Sequence, residues 1–231
     1  LFIGFCALSF ALIRPSGDPD RGSEFYRRLC NALIGLLVKL TRVNITVSGD
    51  DKIPENGRFL LVCNHLNDID PAVILYALPE AQLGFIAKKE IYKTLPLISR
   101  VMHKLHCLPI DRENDRAAAR TVIDAVKLLK SGKVSIGLFP EGYVSRSGEL
   151  LGLRAGSLKI ASRAGVPIVI CTILGTPQAA GGLFIRKNSV YFDILGVIPA
   201  ERVISTDTSA LSEEISAVMR ENLEKRKAEH P

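Results

Sequence analysis

Residues 59–78 read FLLVCNHLNDIDPAVILYAL. Five apolar residues (59–63) suit a strand, and the polar NHLND stretch after them has turn chemistry. Asp70 followed by Pro71 is a favoured helix start, because a side-chain oxygen can cap the first turn and proline fits where no N–H is needed. The stretch therefore reads as strand, turn and helix. Further strand-like runs follow at 83–87, 107–110, 134–139, 166–174 and 190–198. Helical patterns lie among and after them. Ala118, Val122, Ala125, Val126 and Leu129 share one face of a helix over 115–130, which Gly132 stops. Another helix fits 154–164. A last one, over about 208–227, turns Leu211, Ile215, Val218, Met219 and Leu223 inward. Such alternation predicts an α/β fold over residues 44–231, with a largely parallel or mixed sheet flanked by helices.

The 231 residues suit one domain with an appendage. Hydrophobic residues make up 47% and charged residues 23%, which excludes a polytopic membrane protein but fits a globular domain that touches lipid. A net charge of +6 favours anionic partners such as membrane surfaces or phosphorylated substrates. With 6% aromatics, no Trp and no recognition motif, nucleic acid ranks last among them. None of the five cysteines has CxxC spacing, so neither a zinc site nor a disulfide framework is indicated. A chain that begins at Leu1 is expected to lack an upstream piece. Residues 1–13 carry no charge but fall short of the roughly 20 residues a bilayer span needs. They read as the tail of a truncated transmembrane helix or part of a signal segment, with a buried hairpin helix as the alternative. Arg14, Arg21, Arg27 and Arg28 would then place the rest of the chain on the cytoplasmic face. An amphipathic helix over 23–40 carries Phe25, Leu29, Leu33, Leu36, Leu37 and Leu40, suited to a lipid interface, to packing on the domain, or to both. Residues 1–43 are thus expected to form a membrane-associated helical segment.

In parallel α/β sheets ligands bind beyond the carboxyl ends of the strands. The residues there are Asn64 and His65; Lys88, Lys89 and Glu90; Asp111 and Arg112; and Pro140, Glu141 and Gly142. A base, several cations and an acid converge on one edge. His65 and Asp70 have the His-x-x-x-x-Asp spacing of a base and its orienting carboxylate. A neutral imidazole can take a proton from an alcohol attacking a thioester, while the carboxylate fixes the ring's tautomer. His106 and Asp111 share this spacing. The strand-like residues between them would hold the pair roughly 16 Å apart at about 3.3 Å per residue, so the first pair is preferred. Asp70 could instead simply cap its helix, and Asp68 is expected to serve the turn.

Glu141, in the segment FPEG (139–142), can meet a substrate hydroxyl or a cation, and Arg112, in PIDR (109–112), can grip a phosphate through two parallel bonds. Arg146, Arg154 and Lys159 add nearby charge. NHLNDID, KKEIYKTLP, PIDR, FPEG with SRSGEL, and VPIVI stand in the order seen in glycerolipid acyltransferases. Over about residues 45–200 the chain resembles the 1-acyl-glycerol-3-phosphate acyltransferase family. That resemblance implies His65 and Asp70 as the catalytic dyad and a glycerol-phosphate site with Arg112, Glu141 and Gly142. Lys88 and Arg146 are further candidates for substrate binding. It implies a lysophospholipid acceptor, acyl-CoA or acyl-carrier protein as donor, no metal or other cofactor, and attachment to membrane lipid. The departures fall on the acceptor side: Tyr143 and Val144 stand where the family usually has Thr-Arg, Ser99 where a Gly often follows the PLP-like segment, and Ile170 where a second Pro is frequent.

Overall fold

The structure, a computed structural model, describes residues 23–55, 57–94, 96–181 and 188–230. Seven strands form one sheet: β1 (Val43–Ser48), β2 (Leu60–Cys63), β3 (Leu83–Lys88), β4 (Leu108–Ile110), β5 (Ser135–Leu138), β6 (Ile168–Leu174) and β7 (Asn188–Ile198). Their order is β1-β7-β6-β2-β5-β3-β4. The β6–β2–β5–β3–β4 run is parallel throughout, β7 lies antiparallel to β6, and β1 runs parallel to β7. The sheet is therefore mixed, with its reversal confined to one side. β1 lies at the edge of the sheet, and its half-buried VNITVS carries none of the apolar continuity that marks β2 or β6.

Side-chain alternation divides the core between the two faces of the sheet. Leu61 and Cys63 of β2 join Val169, Cys171 and Ile173 of β6 on one face. Leu60 and Val62 join Ile168 and Ile170 on the other. Every residue of β2 is buried, as expected of a strand covered on both sides. Helices α1 (Ser23–Thr41), α2 (Asp70–Ala77) and α4 (Pro96–Lys104) cover the first face. The second is covered by α5 (Asp115–Lys130), α6 (Ala155–Ala164) and α9 (Thr208–Glu229), which buries Leu211, Ile215, Met219 and Leu223. Three further short α-helices are α3 (Lys89–Thr94), α7 (Thr176–Gly181) and α8 (Ala200–Ser205). The C-terminal helix is fastened by Asp193 of β7, which accepts from Arg226 at 2.6 and 2.8 Å and from Asn222 at 3.0 Å.

α1 is amphipathic as its periodicity suggests, but the face it buries is not the most apolar one. Arg27 points inward and donates to the carbonyls of Leu83 (2.7 Å) and Leu105 (3.1 Å), while Phe25, Leu36, Leu37 and Leu40 are exposed. Among the described residues no helix is long and apolar enough to cross a membrane. The apolar run 1–13, with its expected membrane or signal role, lies outside the described residues.

Gly137 of β5 shows how tightly the layers fit. A Cβ there would stand 2.3 Å from the ring of Phe85, itself 3% exposed and unable to swing aside. Replacing Gly137 with Ala is expected to cost about 1–3 kcal/mol, the usual cost of overpacking, read as a lower urea midpoint with an unchanged slope.

Candidate active site

β2, β5, β3 and β4 are neighbours, and their carboxyl ends bring the site together. β2 delivers His65. Its exit is fixed by Asn64, whose buried amide accepts from Ile173 N–H at 2.7 Å and donates to Ile173 C=O at 3.0 Å. His65 Nδ1 lies 2.8 Å from Asp70 Oδ2. The same oxygen accepts the backbone N–H groups of Leu66 (2.7 Å) and Asn67 (2.9 Å), so the loop winds around one fully buried carboxylate. Asp70 is the first residue of α2 and makes no capping bond to it. Its two readings are thereby decided: the carboxylate turns back to the loop and the imidazole. Donation from Nδ1 to the carboxylate leaves Nε2 as the acceptor nitrogen. The imidazole stacks on Phe139 (centroids 4.1 Å apart, planes 16° apart), and Phe139 packs on Phe85, so the ring is held from two directions.

The rival histidine pair does not form a dyad. Asp111 is engaged by Lys89 Nζ at 2.6 Å, and His106 sits in the turn between α4 and β4 with a positive φ of 58°. Asp68 lies exposed at the mouth of the pocket. The turn is instead served by Asn67, whose Oδ1 accepts from Ile69 N–H at 3.2 Å.

A cavity of about 150 Å³ opens beside His65. Phe85, Ile86, Ile91, Ile110 and Leu138 make it apolar within. Lys88, from the end of β3, Arg112, from the end of β4, and Arg154, just before α6, line it with positive charge. Burial lowers the Arg112 pKa from its usual value, and the neighbouring Arg154 charge lowers it further. Arg112 Nη1 is buried without a hydrogen-bond partner, a donor left open to a ligand. Gly142 also lines the pocket, at φ +80°. A Cβ on it would stand 2.9 Å from Arg154 Nε, so only glycine lets the guanidinium lie there.

Two sequence candidates take other places. Glu141, expected to face substrate, is 3% exposed and faces the protein: it accepts His65 N–H at 2.6 Å and Leu151 N–H at 2.7 Å. Burial pushes its carboxyl pKa up, and those backbone N–H bonds pull against the rise. It is a positioning residue. Arg146, a candidate to compensate for Val144, is exposed and does not line the pocket; Arg154 does. Sequence reasoning held Arg154 only as background charge and noted Tyr143 only as a departure. Nothing in the local sequence reveals that Arg154 N–H bonds the carbonyl of Pro140 at 2.9 Å and so returns to the FPEG turn.

A half-buried histidine on a fully buried carboxylate, an apolar cavity and a cationic rim thus meet at the strand ends of an α/β sheet. The family described as Acyltransferase matches residues 44–174, a span that holds every pocket and dyad residue named above. The chain belongs to that family. Among its relatives is the 1-acyl-sn-glycerol-3-phosphate acyltransferase of Borreliella burgdorferi, 27% identical over 169 residues, covering 73% of this chain and 64% of that protein. The Bacillus subtilis protein of the same description is 28% identical over 198 residues, covering 82% and 94%. In fold the chain is similar to the crystal structure of the 1-acyl-sn-glycerophosphate (LPA) acyltransferase PlsC from Thermotoga maritima. The TM-score is 0.76 at 25% identity, over 98% of this chain and 89% of that one. Against some curated relatives the chain spans less than two thirds of their length, as with the 64% for Borreliella burgdorferi and 50% for Limnanthes douglasii.

The placement of Glu141 yields a test. Glu141→Gln would set an amide NH₂ against one of two backbone N–H donors, leaving that donor buried and unpaired. A stability loss of about 1–3 kcal/mol is expected, with kcat reduced and the acceptor KM little changed. A KM effect without loss of stability would return Glu141 to the substrate.

Proposed function

We propose that the protein transfers a fatty acyl group from a thioester, acyl-CoA or acyl-carrier protein, to the sn-2 hydroxyl of 1-acyl-glycerol 3-phosphate, forming phosphatidic acid at a membrane surface. The observation that carries this reading is the meeting of the His65–Asp70 pair with an apolar cavity under a cationic rim. His65 Nε2 removes the proton from the acceptor hydroxyl as its oxygen bonds to the thioester carbonyl carbon. Asp70 stabilises the imidazolium, a role suited to a carboxylate held by two backbone N–H groups. The tetrahedral adduct then collapses, the C–S bond breaks, and the departing thiolate receives the proton from His65. A thioester is already activated, so no acyl-enzyme is required. Lys88, Arg112 and Arg154 would hold the phosphate, and the apolar wall an acyl chain. The names of the relatives support the acceptor.

A lysolipid with another headgroup is the second reading, motivated by Val144 in the pocket lining and Tyr143 against the pocket's cations. Labelled acyl transfer to lysophosphatidic acid and to lysophosphatidylcholine, from each donor, separates the two. His65→Ala is expected to lower kcat roughly 10²–10⁴-fold with an unchanged melting temperature. Near-normal turnover in that variant would sink the dyad mechanism. Transfer confined to lysophosphatidylcholine would retain the mechanism and change the acceptor.

The outward side of α1 supports a membrane surface as the working place. Phe25, Leu36 and Leu40 are 56%, 51% and 55% exposed on a helix that also carries Arg28 and Lys39. The double substitution Leu36→Glu with Leu40→Glu is expected to reduce cosedimentation with anionic vesicles severalfold while turnover of detergent-dispersed substrate is largely kept. Equal cosedimentation of variant and parent would exclude this helix as the lipid contact.

A further inference from the structure

We infer that Tyr143 is the positioning residue of the phosphate site, its ring gathering Lys88, Arg112 and Arg154 into one cluster ready for a phosphate group. The inference deepens the acyl-transfer reading and rests on it for the identity of the phosphate. Three cations from three elements approach a single ring: Lys88 Nζ at 5.9 Å, Arg112 Cζ at 5.4 Å and Arg154 Cζ at 5.3 Å from its centroid. Like charges this close repel one another, and the usual remedy is a carboxylate. Lys89, one residue along, has that remedy in Asp111 at 2.6 Å. The clustered three do not: among the described residues none of them is ion-paired, and Glu90 acts on Arg112 more weakly than Arg154 and Tyr143 do.

An aromatic face attracts cations without neutralising them. It can therefore hold the cluster together and leave its full charge for a ligand, which a carboxylate cannot do. The unpartnered Nη1 of Arg112 fits this state. So does the placement of the ring. Gly142 allows the turn before it, Glu141 ties that turn to His65 and Leu151, and Arg154 N–H bonds Pro140 C=O. Ring, Arg154 and catalytic imidazole thus share one rigid frame. Tyr143 itself is 53% exposed, so core packing does not account for the ring. Val144 brings no charge and Arg146 lies outside the pocket, which leaves these three cations to bind the anion.

The test uses the full chain and the variants Tyr143→Phe, Tyr143→Leu and Tyr143→Gln, with melting temperatures measured for all. Glycerol 3-phosphate is the binding probe, titrated by calorimetry, and turnover is followed with lysophosphatidic acid and acyl-CoA. Each exposed cation–π contact contributes roughly two- to fivefold, so removing the ring is expected to weaken the probe roughly tenfold. Phe should restore the parent's affinity and Leu and Gln should not. In turnover the KM of a phosphate-bearing substrate should rise likewise, with kcat within about twofold. A rise for lysophosphatidic acid assigns the cluster to the acceptor headgroup, and one for acyl-CoA assigns it to the donor's phosphates. Leu and Gln variants that bind the probe as tightly as the parent would overturn the inference, as would a Phe variant as weak as Leu. Probe binding that follows this pattern in a parent protein with no acyl transfer would instead refute the proposed function and leave the role of Tyr143 standing.

Discussion

The carboxylate of Glu141, almost wholly out of water, accepts one backbone N–H from the histidine loop and one from residue 151. A buried charge of this kind is tolerated only when hydrogen bonds replace its lost hydration. Here the replacement joins two loops that the chain separates widely. One carries His65 and Asp70; the other runs from the FPEG turn to Arg154. Ser145 N–H, bonded to His65 C=O at 2.7 Å, makes a second tie between them. The distance between base and cationic rim is thereby set by hydrogen bonds to the main chain, which are stiffer than contacts between the ends of long side chains.

The same economy governs the base. Asp70 Oδ2 takes two loop N–H groups and the imidazole together, so the geometry of the loop and the orientation of the ring cannot vary separately. Stacking on Phe139, which itself packs on Phe85 over Gly137, extends the fit into the sheet. A clash at Gly137 would therefore be felt at the imidazole three layers away. The pocket divides its chemistry by depth, with an apolar wall below and cations at the mouth, as suits an amphipathic ligand.

The cations illustrate what local sequence can and cannot say. Lys88 and Arg112 stand at the ends of apolar runs, and the strand-end rule alone nominates them. Arg154 precedes a helix and looks like ordinary surface charge until the chain returns to Pro140. Arg146 lies closer in sequence to FPEG yet points elsewhere. Glu141 stands at a strand end, which nominates it, but the direction of its carboxylate depends on which backbone donors lie nearby. α1 teaches the same lesson in reverse: periodicity reveals its apolar stripe, while Arg27, a residue that ordinarily stays outside, is turned inward by two carbonyl acceptors.

By itself the sequence determined the α/β class, all six nominated strands and the main helices, and it nominated the His65–Asp70 pair. These follow from short-range rules: apolar runs, helical periodicity, turn chemistry and a five-residue reach between base and acid. Only the tertiary structure decided the reversal of β7, the edge strand β1, the inward face of α1, the structural role of Glu141 and the grouping of Lys88, Arg112 and Arg154 around Tyr143. Each of these depends on partners far apart in the chain, and neither a hydrogen-bond direction nor a strand's orientation leaves a mark on residue order.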